Sequence, residues 1–412
     1  MSLAIDPREA GQSPPAWPKM NNGVIAAGLL LLLGGALALD QAFEGRQAWL
    51  YLLGGALGVV LYHAAFGFTG AWRVFLADGK GAGLRAQMIM LALTTACFLP
   101  IIAAGSFFGR PAGGFIAPVG VSVLAGAFIF GLGMQLGGGC ASGTLFTVGG
   151  GRSRMLVTLV FFCVGSVIGT AHLPWWLEQY SLGRVSLSRE LGVAGAIALQ
   201  WALFGAIVLA TIAVERRRHG RLEPLFDKGR GGGAARLLRG PWPLIAGALL
   251  LAGLNLATLG LAGHPWGVSF GYTIWGAKAA TALGIDLSGL SYWATPGRQR
   301  LLEASVFANT TSVMNFGIIV GAFLAAGLAG RFAPDRRVPW RSLLAAALGG
   351  LLMGYGARLA FGCNVGAYFS GIASGSLHGW LWFVAALVGS VLGTWLRPVF
   401  GLAVERSKGG CS

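Results

Sequence analysis

This chain is poor in charge. Asp, Glu, Lys and Arg make up 11% of its 412 residues, whereas a soluble globular domain carries about 25%. A water-soluble fold is excluded on that ground. Acidic residues are the fewest, 14 against 30 basic ones. No stretch reads GxxxxGK[ST], so a phosphate-cradling nucleotide loop is excluded. Five cysteines (Cys97, Cys140, Cys163, Cys363 and Cys411) include no CxxC and no Cys/His spacing of a zinc site. Nothing in the sequence asks for a cofactor. Residues 1–20 contain Pro14, Pro15 and charges of both signs and do not read as a cleavable signal peptide.

Apolar sequence fills the space that charge leaves. Hydrophobic residues are 55% of the chain and the mean hydropathy is +0.70. Runs of about 18 or more apolar residues can each cross a hydrocarbon core of about 30 Å. Ten spans are predicted, at 23–42, 48–65, 86–106, 112–136, 155–174, 193–213, 242–262, 305–329, 342–360 and 379–400. The fold class expected is an all-α membrane protein. The net charge of +16 would suggest nucleic acid in a soluble protein. Here the basic residues sit between spans, so the charge reads as orientation by the positive-inside rule, with lipid and not nucleic acid as the partner. With the N-terminus in the cytoplasm, 22 of the 30 Lys and Arg fall inside and seven outside. That puts both termini in the cytoplasm. The expected domains are a tail at 1–22, a first repeat with flanking spans at 23–213, a basic linker at 214–241, a second repeat at 242–402 and a tail at 403–412.

The chain is a tandem duplication. Phe130–Gly151 (FGLGMQLGGGCASGTLFTVGGG) returns as Met353–Gly375 (MGYGARLAFGCNVGAYFSGIASG), with Cys140 matching Cys363 at a shift of 223 residues. Gly165–Thr170 matches Gly389–Thr394, and Phe66–Thr69 (FGFT) matches Phe270–Thr273 (FGYT). The predicted topology turns the second copy upside down. Inverted repeats with interrupted spans in matching places point to a substrate path at the repeat interface. Glycine costs roughly 1 kcal/mol relative to alanine inside a helix, so Gly139 and Gly362 beside the cysteines mark breaks. Each is expected to form a re-entrant segment buried in protein or lining a watery path, because lipid cannot satisfy free backbone groups.

Several residues could carry chemistry. Exposed N–H groups at such breaks favour anions. A thiol is a soft, weak S–H donor that can approach a sulfur-bearing anion without the cost of a fixed charge. The expected path residues are Cys140, Cys363, Gly139, Gly362, Ser142, Asn364, Gln135 and Arg358. Arg358 stands five residues before Cys363, where Gln135 stands before Cys140. An ionisable residue inside a span is a functional candidate by default, although Arg358 could instead cap carbonyls at the break. The cysteines could likewise be small residues that allow tight packing. Phe66–Arg73 (FGFTGAWR) and its counterpart Phe270–Lys278 (FGYTIWGAK) read as short polar breaks, which puts Gly67, Thr69 and Arg73, with Gly271 and Thr273 in the other copy, at pore mouths. Asn309–Asn315, Gln87, Thr94 and Thr95 could line a path or bond helices together. His63 and His378 read as structural hydrogen-bonding residues.

At LGGGCASGT, AFGCNVGAY and FTGAWR the chain resembles the YeeE/YedE family of bacterial membrane proteins, which includes thiosulfate permeases. The resemblance covers nearly all of the chain from about residue 48. It implies an hourglass-shaped, inverted-repeat helical protein in the bacterial inner membrane, not an enzyme. It also implies that Cys140 and Cys363 pass a small sulfur-containing anion along by transient S–H···S contacts. Family permeases typically carry one more cysteine, in a motif like RFCxxGAFR. Here Gly67 and Gly271 stand at that place, and neither Cys97 nor Cys163 fits the motif. The ion is therefore open among related sulfur and selenium species. A second reading is a sulfur carrier that forms a persulfide on Cys140, served by a cytoplasmic sulfur-carrier protein. Arg152 and Arg154 are expected to lie too far along the return segment to activate that thiol.

Overall fold

A computed structural model describes residues 18–43, 45–226, 233–334 and 337–404. The remainder of the tails, with Arg8, Arg406, Lys408 and Cys411, lies outside the described residues, as do Lys228, Arg230, Gly231 and Gly232 of the linker, and Arg336. The first half runs α1 (Asn22–Ala42), α2 (Gly45–His63), α3 (Phe68–Asp78), α4 (Ala82–Ala104), α5 (Val121–Gly137), α6 (Ala141–Gly149), α7 (Ser153–Leu177) and α8 (Leu187–His219). The second runs α9 (Ala234–Arg239), α10 (Leu244–Ala262), α11 (Ser269–Ala282), α12 (Pro296–Glu303), α13 (Thr310–Leu328), α14 (Trp340–Leu359), a π-helical segment (Asn364–Ser370), α15 (Gly371–Ala373) and α16 (Leu377–Leu396). Among the described residues ten helical stretches are long and apolar enough to span a bilayer, one for each predicted span.

Two boundaries differ from expectation. Residues 112–120, predicted as the start of the fourth span, are extended: β1 (Ser106–Phe107) pairs with β2 (Arg110–Pro111), and β3 (Pro118–Gly120) pairs with β4 (Ser181–Arg184). Pro111, Gly113, Gly114, Pro118 and Gly120 resist helix there. FGFTGAWR and FGYTIWGAK, read as short breaks, are instead helical from Phe68 and from Ser269. The break lies just upstream, where Ala65 adopts a φ of 45° and Gly67 caps α3. The start of the expected linker is also ordered. α8 continues to His219, and Glu215 is buried in an ion pair with Arg85 while accepting from the N–H groups of Gly81 and Glu223.

Without a hydrophobic driving force between helices in lipid, close backbone approach holds helices together. The halves do this reciprocally. A Cβ at Gly131 would collide with the Ala386 carbonyl, and one at the matching Gly354 would collide with the Phe162 carbonyl. Gly165 abuts the Leu351 carbonyl, and its match Gly389 abuts the Phe128 carbonyl. Gly133 faces Gly349, while Gly356 faces Gly126. Each contact thus has a partner with the halves exchanged. α5 packs on α16 as α14 packs on α7, and α2 packs on α13 as α10 packs on α4. The last glycine pair also fixes direction. From Gly126 to Gly133 along α5 the contacts fall from Gly356 to Gly349 along α14, so these matching helices run antiparallel.

Gly131→Ala should therefore destabilise the protein by roughly 1–3 kcal/mol, as overpacking does. Gly253→Ala in α10, where nothing stands within 4 Å of an added Cβ, should be neutral or slightly stabilising. Thermal unfolding in detergent measures both; equal midpoints for the two variants would contradict the packing described.

Candidate functional site

Both cysteines sit where a membrane-depth helix stops and a short one starts. α5 ends at Gly137, and Gly138 turns the chain with a φ of 90°. Cys140 then caps α6 in an extended conformation. In the second half α14 ends at Leu359, Phe361 takes the left-handed turn with a φ of 59°, and Cys363 precedes the π-helical segment, again extended. Phe361 occupies the place of Gly138. A non-glycine residue there costs roughly 1–2 kcal/mol, so the geometry of the second break is retained against a local penalty. α6 spans about 13 Å at 1.5 Å per residue, too short to cross a bilayer.

Neither thiol faces lipid: Cys140 is 1% and Cys363 0% exposed. Cys140 Sγ accepts from the Gly143 N–H at 3.4 Å and lies 3.4 Å from Ser142 Oγ. Sulfur is a poor choice for this position if capping is its whole purpose. Ser, Thr, Asp or Asn caps a helix better, by roughly 1 kcal/mol over a residue without a capping oxygen. Cys363 makes no such cap bond. Both thiols belong to one buried cluster that also holds Tyr272, and the short helix after Cys140 touches the π-helical segment after Cys363. Tyr272 donates to the Ala141 carbonyl at 2.8 Å, tying α11 to the residue after Cys140.

The carbonyls at the end of α5 are held by arginines. Arg154 donates to Leu136 and Gly137, each at 2.7 Å, and to Ser342 at 3.1 Å; Arg397 donates to the Gln135 carbonyl. Arg154, expected to be remote, therefore returns to the break, where it serves carbonyls and not the thiol. Gln135 is fully buried; its amide donates to the Thr69 carbonyl at 3.4 Å, and its Oε1 has no partner. Arg358 does not cap carbonyls at its own break. Its guanidinium lies 5.8 Å from the Phe270 ring and 5.4 Å from the Tyr292 ring, and its Nε is buried without a partner. Asn364, beside Cys363, is fully buried with both side-chain polar atoms unpartnered. Thr69 Oγ1 is also buried and unpartnered. Buried polar atoms are normally hydrogen-bonded, so this set is what a polar ligand or water would satisfy.

The remaining expected residues divide. Gly139 and Gly362 pack against the N-terminal turns that follow them, near Thr144 and Ala367 respectively. Gly67 has open space around an added Cβ, whereas Gly271 is pressed against the Asn315 amide. Thr273 bonds back to Ser269, and Arg73 is half-buried on α3. Asn309 caps its own helix α13, Ser312 accepts from Trp275 of α11, and Asn315 donates to the Val268 carbonyl while its Oδ1 is buried without a partner, so two residues of the eighth-span stripe tie it to neighbouring segments. Gln87 accepts from Trp72 and from Tyr368, and Thr94 bonds within its own helix. His378 pairs with Ser376 at 2.6 Å, and His63 packs on Trp242. Reading the sequence missed Tyr272 and Trp382, which donates to the Gly362 carbonyl at 3.2 Å. The available signal for Tyr272 was its hydroxyl, absent from the matching Phe68.

Gly138→Ala should lower stability by roughly 1–2 kcal/mol, because a side chain is strained in the left-handed region and its Cβ would stand 2.6 Å from Arg154. The thermal midpoint in detergent checks this; an unchanged midpoint would show that the break does not hold this turn.

The family described as sulphur transport matches residues 63–392. The thiosulfate transporter TsuA of Spirochaeta thermophila is 29% identical over 368 residues, covering 84% of this chain and 97% of that one. The thiosulfate transporter TsuA of Escherichia coli is 26% identical over 352 residues, covering 84% and 93%. The probable transporter YedE of Escherichia coli is 31% identical over 172 residues, covering 40% of this chain and 41% of its own. With ten helices fit to span a membrane and a family match over most of its length, the chain belongs to the sulphur-transport family of YeeE/YedE membrane proteins.

Proposed function

We propose that the protein is a bacterial inner-membrane permease for a small sulfur-containing anion of the thiosulfate kind, passed between Cys140 and Cys363 by non-covalent contacts. The observation that carries this reading is the placement of two buried thiols at matching breaks, in one buried cluster with Tyr272. Two relatives that pair with most of the chain bear the name thiosulfate transporter. The halves act as inverted repeats, a reading supported by the exchanged glycine contacts and the antiparallel register of α5 and α14. Each glycine-cysteine break acts as a re-entrant segment, for which the shortness and burial of α6 and of the π-helical segment speak. Both termini are cytoplasmic by the distribution of Lys and Arg.

The thiols act as soft donors while protonated, since a thiolate would repel the anion. Ser142, Asn364, Gln135 and Thr69 offer polar contacts to its oxygens. Asn364 can both donate and accept with its amide. Persulfide chemistry on Cys140 would need a neighbouring base or a cation directed at sulfur. Arg154, the cation at that break, bonds carbonyls. This favours passage over covalent transfer.

Serine keeps the cap and removes the sulfur. Cys140→Ser and Cys363→Ser should each cut thiosulfate uptake by cells tenfold or more at unchanged protein level, and the alanine variants should do the same. Wild-type uptake in both serine variants would overturn the reading. A stable added sulfur atom in the intact mass of protein exposed to thiosulfate would favour the carrier instead.

A further inference from the structure

We propose that Arg358 and Gln135 are matching stations at opposite ends of the anion path, and that the outer station, Arg358, binds oxyanions more tightly than the inner one. This rests on the permease reading and adds sidedness to it. The two residues are equivalent by sequence, at the same shift of 223 that relates the cysteines. They are also equivalent in packing. A Cβ at Gly393 would stand 2.9 Å from the Gln135 Cβ, and one at the matching Gly169 would stand 2.7 Å from the Arg358 Cβ. Their neighbours on the other side match as well: Gln135 reaches Thr69, at the start of α3, and Arg358 reaches Phe270, at the start of α11.

What the two positions offer a ligand is opposite. Gln135 leaves an acceptor oxygen unpartnered, in a fully buried setting. One N–H of its amide goes to the Thr69 carbonyl at 3.4 Å, so the position offers an anion at most one neutral donor beside a lone pair that repels it. Arg358 leaves a donor unpartnered, its buried Nε. Phe270 and Tyr292 are the ring contacts of its guanidinium, and no carboxylate stands within ion-pair distance of it among the described residues. Aromatic contact steadies a cation by its quadrupole without taking its N–H edge. The guanidinium edge is the group best shaped to meet two oxygens of an oxyanion. Arg298 stacks 3.8 Å from the centre of the Tyr292 ring and donates to the Tyr292 carbonyl, fixing the ring on which Arg358 rests. Arg358 is half-buried at the end of α14, while Gln135 is sealed near the end of α5. Arginines at the inner end, Arg154 and Arg397, are turned onto the carbonyls of α5.

The consequence is a path that fills from dilute solution on one side and releases on the other. Unequal stations do not move the equilibrium distribution of the anion; they set the external concentration at which the path is occupied. They also select for an anion with oxygens for Arg358 and a terminal sulfur for the thiols.

The test is radiolabelled thiosulfate uptake into proteoliposomes of the full chain, with protein orientation resolved, over a concentration series at each face. Arg358→Gln should raise the half-saturating concentration at the outer face about tenfold or more, the size of one lost charge-assisted hydrogen bond, with a smaller effect on the maximal rate. Arg358→Lys should fall between it and the wild type. Gln135→Arg should lower the half-saturating concentration at the inner face; should that variant fail to fold, the two Arg358 variants decide. Unchanged half-saturation in Arg358→Gln, or loss of maximal rate together with thermal stability, would overturn the proposal. Unchanged half-saturation alongside abolished uptake in the cysteine variants would remove this inference and leave the permease reading standing.

Discussion

Backbone against backbone is the constraint on which the rest of the molecule depends. Helices in lipid gain little from apolar burial against one another, so α5, α14, α7 and α16 are held where glycines let main chains touch. Because the contacts repeat with the halves exchanged, one pattern of small residues sets two interfaces at once. The antiparallel crossing of α5 and α14 follows from it. It sets the two breaks at opposite ends of that pair, Gly137 against Gly349 and Ala360 against Gly126, and the short segments that follow the breaks then touch one another. Separate those helices by one methyl group and both cysteines move.

The breaks then gather buried polar groups left without a partner among the described residues. A left-handed turn at Phe361, a sulfur cap at Cys140 and the orphaned amide of Asn364 are each unfavourable alone. A passing ligand, as proposed above, would account for them together. The aromatic residues around them, Tyr272, Trp382 and Tyr368, carry hydroxyl or indole groups that bind the surrounding backbone and Gln87. They hold the site's walls without adding charge.

Much of this was legible in the sequence. Long apolar runs dictate helices through the length a bilayer requires, and ten were found where ten were expected. The duplication was visible because glycine and cysteine recur at fixed spacing. What escaped was whatever depends on a third residue from elsewhere. Proline and glycine in 112–120 permit both a frayed helix and an extended strand, and pairing with Ser181–Arg184 decides. FGFTGAWR looked like a break because Gly67 and Thr69 are polar or small, yet Trp72 buries itself and extends a helix. Arg154 looked distant because sequence counts residues, whereas a guanidinium reaches back across the turn from α7 to α5. The difference between Arg358 and Gln135 was visible as a mismatch in the repeat, whereas the buried atom that each leaves unpartnered was not.

The central claim, that two thiols share one anion path approached from opposite faces, is tested most directly by thiol accessibility. Cys97, Cys163 and Cys411 would be replaced by alanine, and oriented vesicles treated with a small charged methanethiosulfonate from either side, with and without thiosulfate. The account predicts that Cys363 reacts from the outer face and Cys140 from the cytoplasmic face, and that thiosulfate slows both reactions. Reaction of both cysteines from a single face, or rates indifferent to thiosulfate, would contradict it.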